Sequence, residues 1–185
     1  MNPDRTSPPQ LLGPSSGRLL PSLELAFPDG RPAPLWDYRG RGPLVVFLHE
    51  APACAACATR LAELAAAHAG YRELGAEVLA VGRAGSAGPS YRAFPARSGS
   101  ALPALPYPVL LDPAGRLANA LGLRLPALLV VGRTGELWAA WGSDHAALPD
   151  AAEIAGWLEY ALSECRECFC CELAWPEGWV RGPIE

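Results

Sequence analysis

Hydrophobic and polar positions alternate along this chain in short blocks whose periods predict its elements. Leu23-Glu24-Leu25-Ala26-Phe27 has the two-residue period of a half-buried strand, and Pro28-Asp29-Gly30-Arg31 after it is a turn signal. Leu35-Trp36-Asp37-Tyr38 leads into the glycine-rich Arg39-Gly40-Arg41-Gly42-Pro43. The unbroken apolar run Leu44-Val45-Val46-Phe47-Leu48 fits a strand buried on both faces, as in a parallel sheet. From Cys57 to Leu74, apolar groups recur at Cys57, Leu61, Leu64, Ala65, His68 and Tyr71, which is helical spacing. Glu77–Val81 reads as a second core strand after the break at Gly75, whereas residues 83–106 show no period. Pro108–Asp112 is a short strand, and Pro113-Ala114-Gly115 turns into a helix over Arg116–Leu121. Leu128–Val131 and Leu137–Trp141 flank Arg133-Thr134-Gly135-Glu136 as a hairpin. Asp150–Ser163 is amphipathic, with Ile154, Trp157, Leu158 and Leu162 on one face.

Alternating β and α elements that close on a hairpin and a helix predict an α/β domain, a mixed sheet covered by helices. The expected partition is a mobile Pro/Ser/Gly-rich lead-in over residues 1–20, one domain over 20–164, and a cysteine-rich tail over 165–185. Composition supports a single packed domain: of 185 residues, 50% are apolar and 18% charged. The 15 basic residues are all arginine, scattered singly in a chain of net charge −4, which argues against a nucleic-acid or anionic-membrane partner. No apolar run approaches the ~20 residues of a spanning helix. The first residues lack a basic stretch followed by an apolar one, so the expectation is a cytoplasmic protein. Thiols there are kept reduced, and the six cysteines read as reactive or metal-binding rather than as a disulfide framework.

Cys54-Ala55-Ala56-Cys57 lies between a buried strand and the start of a helix. A thiol at a helix N-terminus meets the positive end of the macrodipole and unpaired backbone N–H groups, which favour thiolate over thiol. A second thiol one turn inward can reach back and close a small disulfide. The pair thus reads as a redox-active CxxC, with Cys54 attacking and Cys57 resolving. Two small buried residues, or half of a zinc site, are the blander readings.

Residues Val45 to Cys57 resemble the active-site strand and loop of the thioredoxin-like superfamily. More narrowly, they resemble its redoxin branch of alkyl hydroperoxide reductase/thiol-specific antioxidant type, with its peroxiredoxin-like relatives. Leu23–Phe27 with Pro28–Arg31 is similar to that branch's N-terminal β-hairpin, and Tyr107–Gly115 to the segment before its last helix-and-hairpin unit. Leu121–Val131 resembles the stretch that holds the superfamily's cis-proline. The resemblance spans residues 20–164. It implies a thioredoxin-like fold, antioxidant or redox-homeostasis chemistry, and no required cofactor. It also implies a cis Leu125-Pro126 peptide facing the CxxC, with Leu125 offering its backbone to substrate. Its implied partners are a disulfide or hydroperoxide substrate and a thiol electron donor such as thioredoxin, glutaredoxin or a small thiol.

Departures from the patterns favour disulfide exchange. Ala53 and Ala55-Ala56 stand where thioredoxin carries Trp and Gly-Pro. Glu50 and Cys54 take the Pro and Thr places of the peroxiredoxin signature Pro-x-x-x-Thr-x-x-Cys, whose cysteine aligns with Cys57. Pro126 takes the place of the peroxidatic arginine; Arg124, two residues earlier, is the nearest substitute. A hydroperoxide reductase acting through Cys57 or Cys54 is the alternative. His49 and Glu50 are candidates to influence the pair, Glu50 as proton acceptor for Cys57 or as a solvated loop residue, His49 as a core histidine or a helper. His68 and His145 have no motif around them and read as structural or surface groups. Cys165, Cys168, Cys170 and Cys171 are open to three readings: ligands of a thiophilic metal such as zinc, a second redox relay, or incidental thiols of an exposed tail. Trp175-Pro176-Glu177-Gly178-Trp179 is apolar enough to dock on the domain.

Overall fold

A computed structural model of the chain describes residues 18–50, 54–83, 105–142 and 144–163. The tail cysteines, the aromatic stretch after them, residues 1–17 and most of the unpatterned segment before Leu105 lie outside the described residues.

The apolar run Leu44–His49 (β3) is buried at all six positions and sits near the middle of a seven-stranded sheet. The remaining strands are Glu24–Ala26 (β1), Pro32–Pro34 (β2), Glu77–Gly82 (β4), Val109–Leu111 (β5), Ala127–Val131 (β6) and Leu137–Gly142 (β7). Their order across the sheet is β2-β1-β5-β4-β3-β6-β7. β3 pairs in parallel with β4, and β4 with β5; every other pairing is antiparallel, so the sheet is mixed as expected. β2 is Pro-Ala-Pro at the edge, where strands tolerate residues that cannot donate to a ladder.

Because strand side chains alternate between faces, β3 feeds two cores. Val46 and Leu48 join Leu20, Leu25, Leu35, Leu117 and Leu121 on one face. Val45 and Phe47 join Leu61, Leu64, Tyr71, Ile154 and Leu158 on the other. The second face is covered by the helices Ala55–Glu73 (α1) and Ala151–Ser163 (α3), the first by Arg116–Leu121 (α2) and the stretch around Leu20 and Leu23. The helical positions read from the sequence are the ones that pack: Cys57, Leu61, Leu64 and Tyr71 of α1 are buried. Buried Asp112 accepts the Leu117 N–H at 2.8 Å, and Gly122 in left-handed conformation ends α2, a role that suits a residue without Cβ.

Residues 18–20 are held against the sheet: Leu19 bridges to Glu136 and the Arg18 guanidinium donates to the Leu121 carbonyl at 2.6 Å. α1 begins at Ala55, because the Cys54 carbonyl already accepts from the Ala58 N–H at 2.9 Å. Among the described residues no helix is long and apolar enough to cross a membrane.

Candidate active site

Strand register brings three separate stretches of sequence to one end of the sheet. Leu48 of β3 stands opposite Ala127 at the start of β6, and Ala127 stands opposite Gly142 at the end of β7. The chain therefore leaves β3 towards Cys54, enters β6 from Leu125-Pro126, and leaves β7 towards His145, all at this end. Leu125-Pro126 is a cis peptide, as the resemblance implied. Gly142 is where the stretches crowd: a Cβ there would lie 2.9 Å from the Arg124 carbonyl oxygen and 3.5 Å from the Ala127 Cβ.

Cys54 is the N-cap of α1. Its half-exposed Sγ accepts a hydrogen bond from the Cys57 backbone N–H at 3.4 Å, one of the orphan donors that open every helix. That hydrogen bond, with a second from the Cys57 thiol, holds the Cys54 thiol below its ordinary pKa. Cys57 lies one turn inward with 2% of its surface exposed. Burial, reinforced by the neighbouring Cys54 sulfur, pushes its thiol up to about 12. The two cysteines are free thiols, so this is the reduced pair.

His145 completes the site. Its Nε2 lies 3.6 Å from the Cys54 Sγ and 3.6 Å from the Cys57 Sγ. It opens the 3-10 turn His145–Ala147, whose start is fixed by the Asp144 carboxylate accepting from the Ala146 N–H at 3.0 Å. The far side of this segment is tied to α1: Arg60 donates to the Pro149 carbonyl at 2.9 Å, and the Tyr71 hydroxyl to the Ala151 carbonyl at 3.2 Å. The sequence reading of His145 as a structural or surface group is thus corrected. No local pattern marks it, since its approach to the thiols is set by the β6–β7 register 88 residues beyond Cys57.

The other candidates fall differently. His49 is fully buried and stacked on Phe47, ring centroids 5.5 Å apart. Burial lowers its pKa to about 4 and keeps the imidazole neutral at neutral pH. Glu50 is exposed, and its charge opposes thiolate formation at both cysteines. Arg124 is exposed and is not among the charges acting on either thiol. Leu125 and Pro126 are half-buried, with Leu125 packed against the first core. His68 tilts over Tyr107 at 5.9 Å on the side of α1, a packing role.

Comparison with known proteins agrees with this architecture. The sequence profile of the AhpC/TSA family matches residues 16–140. No curated protein matches the chain by sequence. Among solved structures, a Chlorobium tepidum protein proposed to be a thiol:disulfide interchange protein DsbE is similar at TM-score 0.63 and 20% identity, over 79% of this chain and 96% of that one. The peroxidoxin BcpB of Mycobacterium tuberculosis is similar at TM-score 0.61 and 17% identity, over 78% and 96%. Peroxiredoxin Q of Xanthomonas campestris is similar at TM-score 0.60 and 19% identity, over 77% and 90%. At these identities the likeness concerns the fold, which is thioredoxin-like.

Proposed function

The chain belongs to the AhpC/TSA family, and from that premise we propose that it is a thiol–disulfide oxidoreductase with Cys54 as nucleophile and Cys57 as resolving thiol. The observation that carries the reading is the unequal placement of the two sulfurs. Cys54 is half-exposed at a helix N-terminus and accepts a backbone N–H, whereas Cys57 is buried behind it. A substrate disulfide can therefore meet Cys54 first. Its thiolate attacks one substrate sulfur, the substrate S–S bond breaks, and the departing thiolate takes a proton from solvent. Cys57 then attacks the Cys54 sulfur of the mixed disulfide and releases the second substrate thiol. The proton that Cys57 must lose has an acceptor at hand in His145 Nε2, 3.6 Å away. Glu50, the acceptor suggested by sequence, is exposed and ranks behind it.

The net result is two electrons passed from the Cys54–Cys57 pair to the substrate, which leaves as two thiols. A thiol donor such as thioredoxin, glutaredoxin or a small thiol restores the pair, and no cofactor enters. Leu125 and Pro126 stand at the entry to β6, at the same end of the sheet, and present backbone to the substrate chain. Peroxide reduction by Cys57 is disfavoured by its burial and by Glu50 and Cys54 in the signature positions. The test offers reduced protein insulin disulfides and hydrogen peroxide in parallel. Insulin reduction with slow peroxide consumption supports the reading; rapid stoichiometric peroxide consumption without insulin reduction overturns it.

A further inference from the structure

The three groups at the mouth of α1 do more than pass a proton. The ligating atoms of Cys54, Cys57 and His145 all lie within 4.8 Å of one another, although they come from a helix cap, a helix turn and a distant 3-10 turn. We propose that the reduced site binds one thiophilic closed-shell metal ion, of which Zn²⁺ is the type, through Cys54 Sγ, Cys57 Sγ and His145 Nε2. This does not depend on the disulfide-reductase reading.

Distances carry the case first. Zinc takes thiolate at about 2.3 Å and imidazole at about 2.0–2.1 Å. At a tetrahedral angle these bonds place nitrogen and sulfur about 3.5 Å apart. Both nitrogen-to-sulfur distances here are 3.6 Å. Both nitrogen-to-sulfur separations thus match those of a tetrahedral zinc site, and the two sulfurs lie within 4.8 Å of each other. Donor chemistry agrees: two thiolates neutralise a dication, and a sulfur-rich set with one imidazole selects borderline and soft ions over Mg²⁺ or Ca²⁺.

Position carries it second. Cys57 is buried, while Cys54 and His145 are half-exposed, so the three donors close the inner side and leave the fourth position towards solvent. Three protein ligands and one open place is the arrangement of a reactive or exchangeable zinc rather than a closed structural one. The donors are also held in place. Cys54 and Cys57 are fixed by the cap of α1, and His145 by the Asp144 carboxylate and the Arg60 and Tyr71 tethers nearby.

Occupancy follows the redox state of the pair. Oxidation of the two thiols by a disulfide oxidant moves two electrons to that disulfide, which leaves as two thiols, and joins the two protein sulfurs, which removes both thiolate ligands. The ion leaves with its own charge unchanged, since His145 alone is a single ligand. Conversely, a bound ion occupies the Cys54 sulfur and slows disulfide exchange, so the metal-loaded pair is oxidised more slowly than the free one.

The experiment uses the full chain with Cys165, Cys168, Cys170 and Cys171 replaced by serine, so that the tail thiols do not compete. Reduced protein is titrated with Zn²⁺ against a chromophoric chelator, and with Co²⁺ for its thiolate charge-transfer absorption. One ion per chain is expected, with the Co²⁺ band lost in Cys54→Ser and Cys57→Ser. His145→Ala should weaken Zn²⁺ binding at least about tenfold, as even loss of a supporting group does at metal sites. His145→Cys, which restores a donor, should recover much of that loss. Protein oxidised to the Cys54–Cys57 disulfide should bind none. Absence of stoichiometric binding, or full affinity in His145→Ala with an unchanged unfolding midpoint, overturns the proposal. Insulin reduction measured in the presence of a chelator reports on the reductase reading separately.

Discussion

Replacing His49 by phenylalanine should make the protein less sensitive to acid. His49 has none of its surface exposed, and it stacks on Phe47 inside β3. Burial lowers its pKa from 6.5 to about 4. Between those values the unfolded chain binds a proton that the folded chain refuses, so the folded state loses stability as pH falls from about 6.5 towards 4. Above 6.5 both states are neutral and the contribution is constant. At 1.36 kcal/mol for each factor of ten, the gap between 6.5 and about 4 amounts to about 3 kcal/mol. That is a large part of the ~5–15 kcal/mol by which domains are stable. Urea unfolding of the reduced wild type and of His49→Phe, each at pH 7 and at pH 4.5, measures it. Carboxylates titrate in both proteins, so the difference between the two pH losses isolates His49. The wild type should lose about 2–3 kcal/mol more than the variant. Equal losses would refute the reasoning, whatever the absolute stability of the variant.

Two further outcomes follow from the site's construction. His145→Ala should slow resolution of a preformed Cys54 mixed disulfide by about 10²–10⁴-fold, the usual worth of a positioned proton acceptor; rapid-quench thiol alkylation reads the rate, and an unchanged rate removes His145 from the proton path. Gly142→Ala should destabilise the fold by about 1–3 kcal/mol, because its Cβ would meet the Arg124 carbonyl at 2.9 Å; urea unfolding decides, and wild-type stability would show that the segment before Pro126 yields freely.

The features legible in the sequence are those carried by local period or by a continuous motif. Leu44–Leu48 announced a doubly buried strand because five apolar neighbours in a row needed covering, and β3 indeed supplies both cores. Cys54 and Cys57 were legible because the junction of that strand with a helix makes a capped thiol out of any cysteine placed there. The cis peptide at Leu125-Pro126 followed from resemblance across Leu121–Val131 rather than from the dipeptide itself. His145 was not legible: a histidine in a loop after a strand has no period. It reaches the thiols only because β6 pairs with both β3 and β7 in a given register. The first turn of α1 was legible from the cysteine pair and not from periodicity, because the alanines at 55 and 56 are exposed and carry no hydrophobic signal. His49 fitted two roles by sequence, and its complete burial is the observation that the sequence could not supply.

The account rests on Cys54 being the thiol that meets substrate and Cys57 the one that resolves. Its most direct test is to react Cys57→Ser and Cys54→Ser proteins with an excess of a substrate disulfide and to map the adducts by mass spectrometry. A stable mixed disulfide on Cys54 of the Cys57→Ser protein is expected, with no adduct within the pair and no turnover in Cys54→Ser. An adduct or sulfenic acid found on Cys57 alone would contradict the account and put peroxide chemistry in its place.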